Sequence, residues 1–304
     1  MTQVAAEQAF VHPALFYQGP WEYLAGTVPF IREGLAEDEP VAVAVPGPRL
    51  RLLRGELGDD AARVRWVDMT EAGRNPGRII VEVLGEAADP HPNRHVRIIG
   101  EPIWPDRSDV EYPACVQHEA LINMAFRDRD VTILCPYDIA GLDPVVVEDA
   151  VATHPTLIQG GRTWASPDFA PERIVADYNR ALPCPPEAMV VAFDASGLDE
   201  TCVFVVEHAR RAGLEAEQVD DVVRAVGELL ANSARHGGGS GVLRAWTEPD
   251  HVVYEVTDTG RIDDPLVGRR ASPGQGLLAV NRLADLVRMH TRPDGTTVRV
   301  YFRR

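Results

Sequence analysis

The segment GELLANSARHG carries Glu228, Asn232 and His236 at spacings of four. On a helix such residues stack along one face, so a carboxylate, an amide oxygen and an imidazole fall in line. An Asn oxygen is a hard ligand suited to magnesium, which binds phosphate oxygens in turn. A carboxylate one turn earlier can accept a hydroxyl proton or order a water. Further on, VTDTGR ends an apolar run at Asp258, with Gly260 two residues later. That carboxylate can accept from the exocyclic amine of adenine, while the glycine lets a base approach the backbone. SPGQGLLAV then places Gly274 and Gly276 at the opening of an apolar helix, where bare N–H groups and the helix dipole attract phosphate. DGTTVRVYF follows, a tight turn at Asp294-Gly295 leading into Thr296 and Thr297. Each piece alone is also what an ordinary polar face, turn or helix start looks like; their order is what points to a nucleotide.

These residues need elements to hold them. Val219, Val222, Val223, Val226, Leu229, Leu230 and Ser233 recur at helical spacing and predict a core-facing stripe on a helix over about 217–235. Before it come a strand at 189–193 and a helix at 198–212. After it come alternating strands at 241–247 and 251–257, a Gly/Pro/Asp-rich loop, a helix over 276–288 and a closing strand at 296–302. Helices combined with an antiparallel sheet indicate an α/β sandwich. The first half differs. Short apolar runs at 14–17, 41–45, 64–68, 96–101 and 131–136 are spaced by amphipathic stretches at 21–35, 78–85 and 116–127, the pattern of a mostly parallel, helix-covered α/β sheet. Asp68, Glu101, Tyr137 and Asp138 fall at or just past strand ends, where open α/β sheets bind ligands. VPGPRLRLL lacks the Gly-Lys-Ser/Thr ending of a phosphate loop. Residues 160–188 hold five prolines around one short helix at 171–182 and predict a connector, with domains of 1–162 and 187–304 on either side of a 163–186 linker.

The whole chain, 304 residues with 46 acidic and 30 basic side chains, has a formal net charge of −16. That balance repels phosphate backbones and argues against direct nucleic-acid binding. No apolar run approaches the roughly 20 residues that span a bilayer, and the N-terminus lacks a signal-peptide pattern; a cytoplasmic protein without a membrane partner is expected. Cys115, Cys135, Cys184 and Cys202 are scattered with no CxxC pair, which argues against zinc and against a disulfide framework. The adjacent His118 and Glu119 point about 100° apart on a helix, which is not zinc-ligand spacing.

In sequence order, E-x-x-x-N, D-x-G, GxG-L and GTTVR resemble the nucleotide boxes of the GHKL superfamily. E-x-x-x-N-x-x-x-H-G with GQGL-x-x-V-x-x-L-x-D is most similar to the RsbW-type anti-sigma serine/threonine kinases. The resemblance implies a Bergerat-type α/β sandwich that binds ATP and magnesium. It assigns Asn232 to the metal and makes Glu228 the general base toward a protein hydroxyl. Asp258 would hold adenine; Gly260, Gly274, Gly276, Leu277 and Thr297 would line the site, with Arg235 or His236 toward phosphates. Ile262 stands where the family often has a second glycine, which leaves kinase activity less secure than ATP binding.

The N-terminal half, through HPALFYQGPWEYLAGTVPFIREGLAEDEPVAVAVP, RIIGEPIWP, HEALINMAF, LCPYDIAGL and THP, resembles the MEDS sensory family, which is similar in turn to RecA-type ATPases. It implies a small organic ligand, with His12, Tyr17, Glu101, Trp104, His118, Glu119, Tyr137, Asp138 and His154 as candidate contacts. The two domains together resemble the RsbA-family anti-sigma regulators. The implied partners are a sigma factor, a STAS-type anti-anti-sigma protein and a second copy of the chain. An ATP-binding partner switch without significant kinase activity, or a sensor kinase with another substrate, would carry the same motifs.

Overall fold

The computed structural model describes residues 10–270 and 276–304. The chain divides into two compact units: the first runs to Gly73 and resumes over Ile79–Ala176, and the second comprises Arg74–Arg78 and Asp177–Arg304. Each is described by itself.

Among the described residues of the first unit, eight strands form one sheet: β1 (Phe10–Val11), β2 (Pro13–Tyr17), β3 (Val41–Val45), β4 (Arg65–Asp68), β5 (Val96–Gly100), β6 (Val131–Asp138), β7 (Thr156–Gln159) and β8 (Arg162–Ala165). Their order is β4-β3-β5-β6-β2-β7-β8, with β1 also paired to β6. All pairings but β7–β8 are parallel. The principal helices are α1 (Gly19–Ala36), α2 (Gly47–Leu57), α3 (Tyr112–Ala125), α4 (Pro144–Thr153) and α5 (Pro171–Asp177), with a π-helical stretch at Ile79–Gly85. Strand β3, VAVAV, is buried at every position, as a strand covered by helices on both faces must be.

Helices α2 and α4 lie where the sequence showed no clear period. Each begins at a proline or next to one, and α4 is capped by Asp143, whose side chain accepts from Val145 N at 2.9 Å. Asp68 is likewise a cap, accepting from Thr70 N at 2.9 Å. The Gly/Pro-rich stretch after 160 opens with the β7–β8 hairpin, turned by Gly160 and Gly161 at φ 55° and 73°. Two successive left-handed residues make the tight turn that matches strand twist.

The second unit contains β9 (Met189–Asp194), α6 (Leu198–Arg211), α7 (Ala216–His236), β10 (Ser240–Thr247), β11 (His251–Asp258), α8 (Gly276–Leu283), β12 (Leu286–Arg292) and β13 (Gly295–Arg303). The strands form an antiparallel sheet in the order β12-β13-β11-β10-β9. Helix α7 starts at a capping box: Glu215 accepts from the Gln218 backbone while its own N–H donates to Gln218 Oε1 at 3.0 Å. Its stripe Val219, Val222, Val226, Leu229 and Leu230 is buried against Leu243, Ala245, Val252, Tyr254, Val256, Val298, Val300 and Phe302. Those eight alternate along β10, β11 and β13 and form one sheet face.

The helix expected over 276–288 stops at Leu283, and Leu286–Arg292 is a strand instead. The segment ADLVRMHTR satisfies either period locally; pairing of Leu286 through Arg292 with β13 decides it. The opposite sheet face holds Arg244, Trp246, Glu255, Thr257, Thr297 and Arg299. Arg299 pairs with Glu255 there and donates to the carbonyls of Leu182 and Pro183 at 3.1 and 3.0 Å.

Leu230 is 1% exposed in this core. Leu230→Ala is expected to destabilise the second unit by ~2–5 kcal/mol, read as a lower denaturant midpoint with an unchanged slope.

Candidate functional site

The second unit encloses a cavity of about 740 Å³ between α7, the ends of β11 and β13, the loop after β11 and the start of α8. That size lies within the roughly 300–1,000 Å³ of small-molecule sites. Helix α7 presents Glu228, Asn232, Arg235 and His236 to it from about its last two turns. The Arg235 guanidinium donates to Asn232 Oδ1 at 3.4 Å and lies 4.0 Å from Glu228 Oε2. The side chains of Glu228 and Arg235 are 42% and 61% exposed, so both are open to solvent and to a ligand.

Asp258 ends β11 at the opposite wall. Ser233 Oγ donates to its Oδ2 at 2.5 Å, and the Gly260 N–H donates to its Oδ1 at 2.8 Å. The carboxylate is thereby fixed in place before any ligand arrives. Close approach makes glycine necessary around it: a Cβ on Gly237 would lie 2.4 Å from Asp258 Cγ. Gly276 plays the same part at the head of α8, where a Cβ would stand 2.7 Å from Glu228 Oε2 and 3.0 Å from Asn232 Nδ2. The N-terminal end of α8 therefore rests directly on the carboxylate and amide of α7, and Leu277 beside it also lines the cavity.

Most of the residues singled out in this half thus converge: Glu228, Asn232, Arg235, His236, Asp258, Gly260, Gly276 and Leu277 share one wall system. Gly274 lies outside the described residues. Thr297 does not reach the cavity. Its hydroxyl sits 3.1 Å from that of Thr257 on the far sheet face, and its neighbours Thr296 and Val298 line the cavity instead. Strand side chains alternate, so a register error of one residue swaps faces. Thr296 Oγ1 donates to Gly260 O at 2.8 Å and so braces the turn after Asp258. Ile262 is in the lining, where the family's second glycine would be. Ser233 was legible only as core; a hydroxyl in an otherwise Val/Leu stripe was the available sign that it has a polar partner.

In the first unit the candidate contacts separate into two groups. Register places Tyr17 opposite Asp138, and Arg49 of α2 donates to Tyr17 Oη at 2.9 Å and to Asp138 Oδ2 at 3.3 Å. Glu101, just past β5, is buried beside them. Burial pushes its carboxyl up from 4.5 to about 8, against the pull of Arg49 and with the help of Asp138. Arg49, a lone arginine after Pro-Gly-Pro, carries no sequence pattern that marks it as part of the site. His12, Glu119 and His154 form the second group, fully buried with Cys135. Tyr137 packs edge-on against His154 with ring centroids 5.5 Å apart. His118 is buried on α3. Trp104 belongs to neither group and lies under the Arg107 guanidinium, 3.9 Å from its carbon.

Residues 11–155 match the family model described as MEDS, the methanogen/methylotroph, DcmR sensory domain. Residues 191–302 match that of the histidine kinase-like ATPase domain. No curated protein matches the chain. Among solved structures, the RsbU and RsbW domains of Rv1364c from Mycobacterium tuberculosis are similar at 21% identity and a TM-score of 0.32, covering 41% of this chain and 34% of that one. The chain thus spans about a third of the length of that structure. The histidine kinase AdeS of Acinetobacter baumannii is similar at 10% identity and a TM-score of 0.28, covering 64% and 96% of the two chains. No helix among the described residues is long and apolar enough to cross a membrane. From the two domain matches, this chain carries an N-terminal MEDS sensory domain and a C-terminal ATPase domain of the GHKL, histidine kinase-like type.

Proposed function

We propose that the chain is a sensory partner-switching regulator, an anti-sigma factor whose C-terminal domain is an ATP-dependent protein serine/threonine kinase. The observation that carries this is the meeting of Glu228 and Asn232 with the head of α8, across a cavity from an Asp258 pinned by Ser233. A fixed carboxylate suits the exocyclic amine of adenine, and an amide oxygen beside a helix N-terminus suits a metal-bound polyphosphate. The wall carries Glu228, Asp258, Asp263 and Asp264 against Arg235 and Arg261, an excess of negative charge that would repel a bare nucleotide.

Asn232 would hold magnesium, which when bound screens the phosphate oxygens of ATP. Glu228 accepts the proton of a partner's serine or threonine hydroxyl as its oxygen bonds to the γ-phosphorus and the bond to the β-phosphate breaks, leaving ADP. Arg235 and His236, both in the cavity wall, would approach the phosphate oxygens. The partners in this scheme are a sigma factor, sequestered by the kinase-like domain, and a STAS-type protein that releases it and is inactivated by phosphorylation. The assembly would be a homodimer, and the protein cytoplasmic. A small organic ligand at Tyr17, Arg49, Glu101 and Asp138 would bias the switch in proportion to its different affinities for the two states. Ile262 in the cavity wall favours a second reading, in which ATP is bound and the partner switched with little turnover.

Calorimetry with magnesium and ATP, followed by phosphotransfer from radiolabelled ATP to a STAS partner, tests the scheme. Asn232→Ala is expected to weaken magnesium-ATP binding by about tenfold or more, ~1.4 kcal/mol, and to abolish transfer. Absence of binding by the unaltered chain would sink both readings, and binding without transfer leaves the second. Gly276→Ala places a methyl against Glu228 Oε2, so transfer should fall further than nucleotide affinity. Glu101 gives a pH signature. Its folded pKa of about 8 exceeds the ordinary 4.5, so the folded chain keeps a proton that the unfolded chain has released. Stability should therefore decline as pH rises from 4.5 to about 8 and level off above that. His12, lowered from 6.5 to about 4, acts in the opposite sense and is complete by 6.5. Melting temperature should thus fall between pH 6.5 and 8, with a shallower fall in Glu101→Gln.

A further inference from the structure

We propose that the first unit holds a zinc-type divalent transition-metal ion, bound by His12 Nε2, His154 Nε2, a Glu119 carboxylate oxygen and Cys135 Sγ. The four side chains come from four places: the break between β1 and β2, the end of α4, the middle of α3 and the interior of β6. All are buried, and their ligating atoms lie within 4.8 Å of one another. Glu119 Oε2 is 3.3 Å from His12 Nε2 and 3.2 Å from His154 Nε2, and Cys135 Sγ is 3.4 Å from His12 Nε2. Ligands at ~2.0–2.3 Å around a tetrahedral ion are separated by ~3.3–3.8 Å, so the cluster already approximates the edges of such a tetrahedron.

Hydrogen bonding of the outer ring nitrogens settles which atoms face inward. The Asn123 amide donates to Thr153 O at 2.8 Å and to Ala120 O at 3.2 Å, turning its Oδ1 toward His12 Nδ1 at 3.2 Å. His154 Nδ1 lies 2.8 Å from Ala150 O. Both Nδ1 atoms therefore carry the proton, and both Nε2 lone pairs point at a carboxylate. The Cys135 thiol can donate to His12 Nε2, but the Glu119 carboxylate and His154 Nε2 face one another as acceptors in a buried pocket and repel unless a cation sits among them. Consistently, Glu119 Oε1 and Oε2 and His154 Nε2 have no hydrogen-bond partner among the described residues. Metal-ligating histidines characteristically have their second nitrogen anchored to a carbonyl or carboxylate in this way.

The charge balance also closes. With the proton on Nδ1 and the lone pair on Nε2, both imidazoles are neutral. A divalent ion with one carboxylate, one thiolate and two neutral imidazoles is uncharged overall, and its binding releases the Cys135 thiol proton to solvent. Mixed nitrogen, sulfur and oxygen donors favour zinc-class ions over magnesium or calcium. The site is independent of the nucleotide cavity and of the proposed activity.

The test uses the full, untagged chain, reduced and never exposed to chelator, with elemental analysis by mass spectrometry. The expected result is one zinc per chain, and after chelation one Zn²⁺ taken up on titration with a rise in melting temperature. Co²⁺ in its place should show visible d–d bands with a thiolate charge-transfer band. Cys135→Ser should lose that charge-transfer band and bind zinc at least about tenfold more weakly, while Cys184→Ser, at an exposed thiol, changes neither. His154→Ala and Glu119→Gln should lose stoichiometric zinc; circular dichroism checks that each remains folded. If either does not fold, the Cys135→Ser spectrum decides. A chain that is metal-free as purified and takes up neither Zn²⁺ nor Co²⁺ overturns the proposal, as does a Cys135→Ser variant with an unchanged cobalt spectrum.

Discussion

Helix α7 has to be core and site at once, and its sequence divides those duties by angle. Val219, Val222, Val226, Leu229 and Leu230 are buried against the sheet, while Glu228 and Asn232, a short rotation away, face the cavity. Ser233 lies at the seam and bonds to Asp258 across from the helix. The position of the polar face is therefore fixed by the packing of the apolar one. Rotation of α7 by one residue, about 100°, would withdraw the amide and carboxylate from the cavity and drive a charge into the core. The hydrophobic contact thus positions the chemistry without any dedicated scaffold.

Legibility in the sequence followed the range of the signal. The α7 stripe, the β10 and β11 alternation and the Asp258–Gly260 turn are set by neighbours within a few residues, and the structure has them where the pattern puts them. Residues 286–288 satisfy the end of a helix locally, and only pairing with β13 makes them the start of a strand. The motif marks Thr296 and Thr297 alike, and which of them faces the cavity depends on β13's register with β11. Hairpin β7–β8 is masked in the sequence by prolines and glycines that also suit a connector. In the first unit, each strand-end side chain was visible singly. Their separation into an Arg49-centred group and a His12–His154 group depends on strand order, which no local pattern encodes.

The two polar groups of the first unit handle burial differently. At the strand ends, Arg49 stacks over Tyr17 and Tyr23 and pairs with Asp138, while Glu101 is held largely protonated near neutral pH. Around Glu119, two imidazoles and a thiol surround the carboxylate. An ionised carboxylate in such surroundings is costly unless it is paired or neutralised. One group has met that cost with an internal cation and a retained proton, and the other with soft, metal-compatible donors.

Arg299 adds a constraint of another kind. Its guanidinium, 6% exposed, stacks over Trp246, pairs with Glu255 and is capped by the carbonyls of Leu182 and Pro183. Those two carbonyls come from the proline-rich segment that composition alone marks as a connector. A protease cut or an expression boundary placed just after them would strip acceptors from a buried cation and bare an indole beside it. The catalytic-looking half would then be sticky in isolation, so a fragment that keeps this cation covered begins before Leu182 rather than at the first strand.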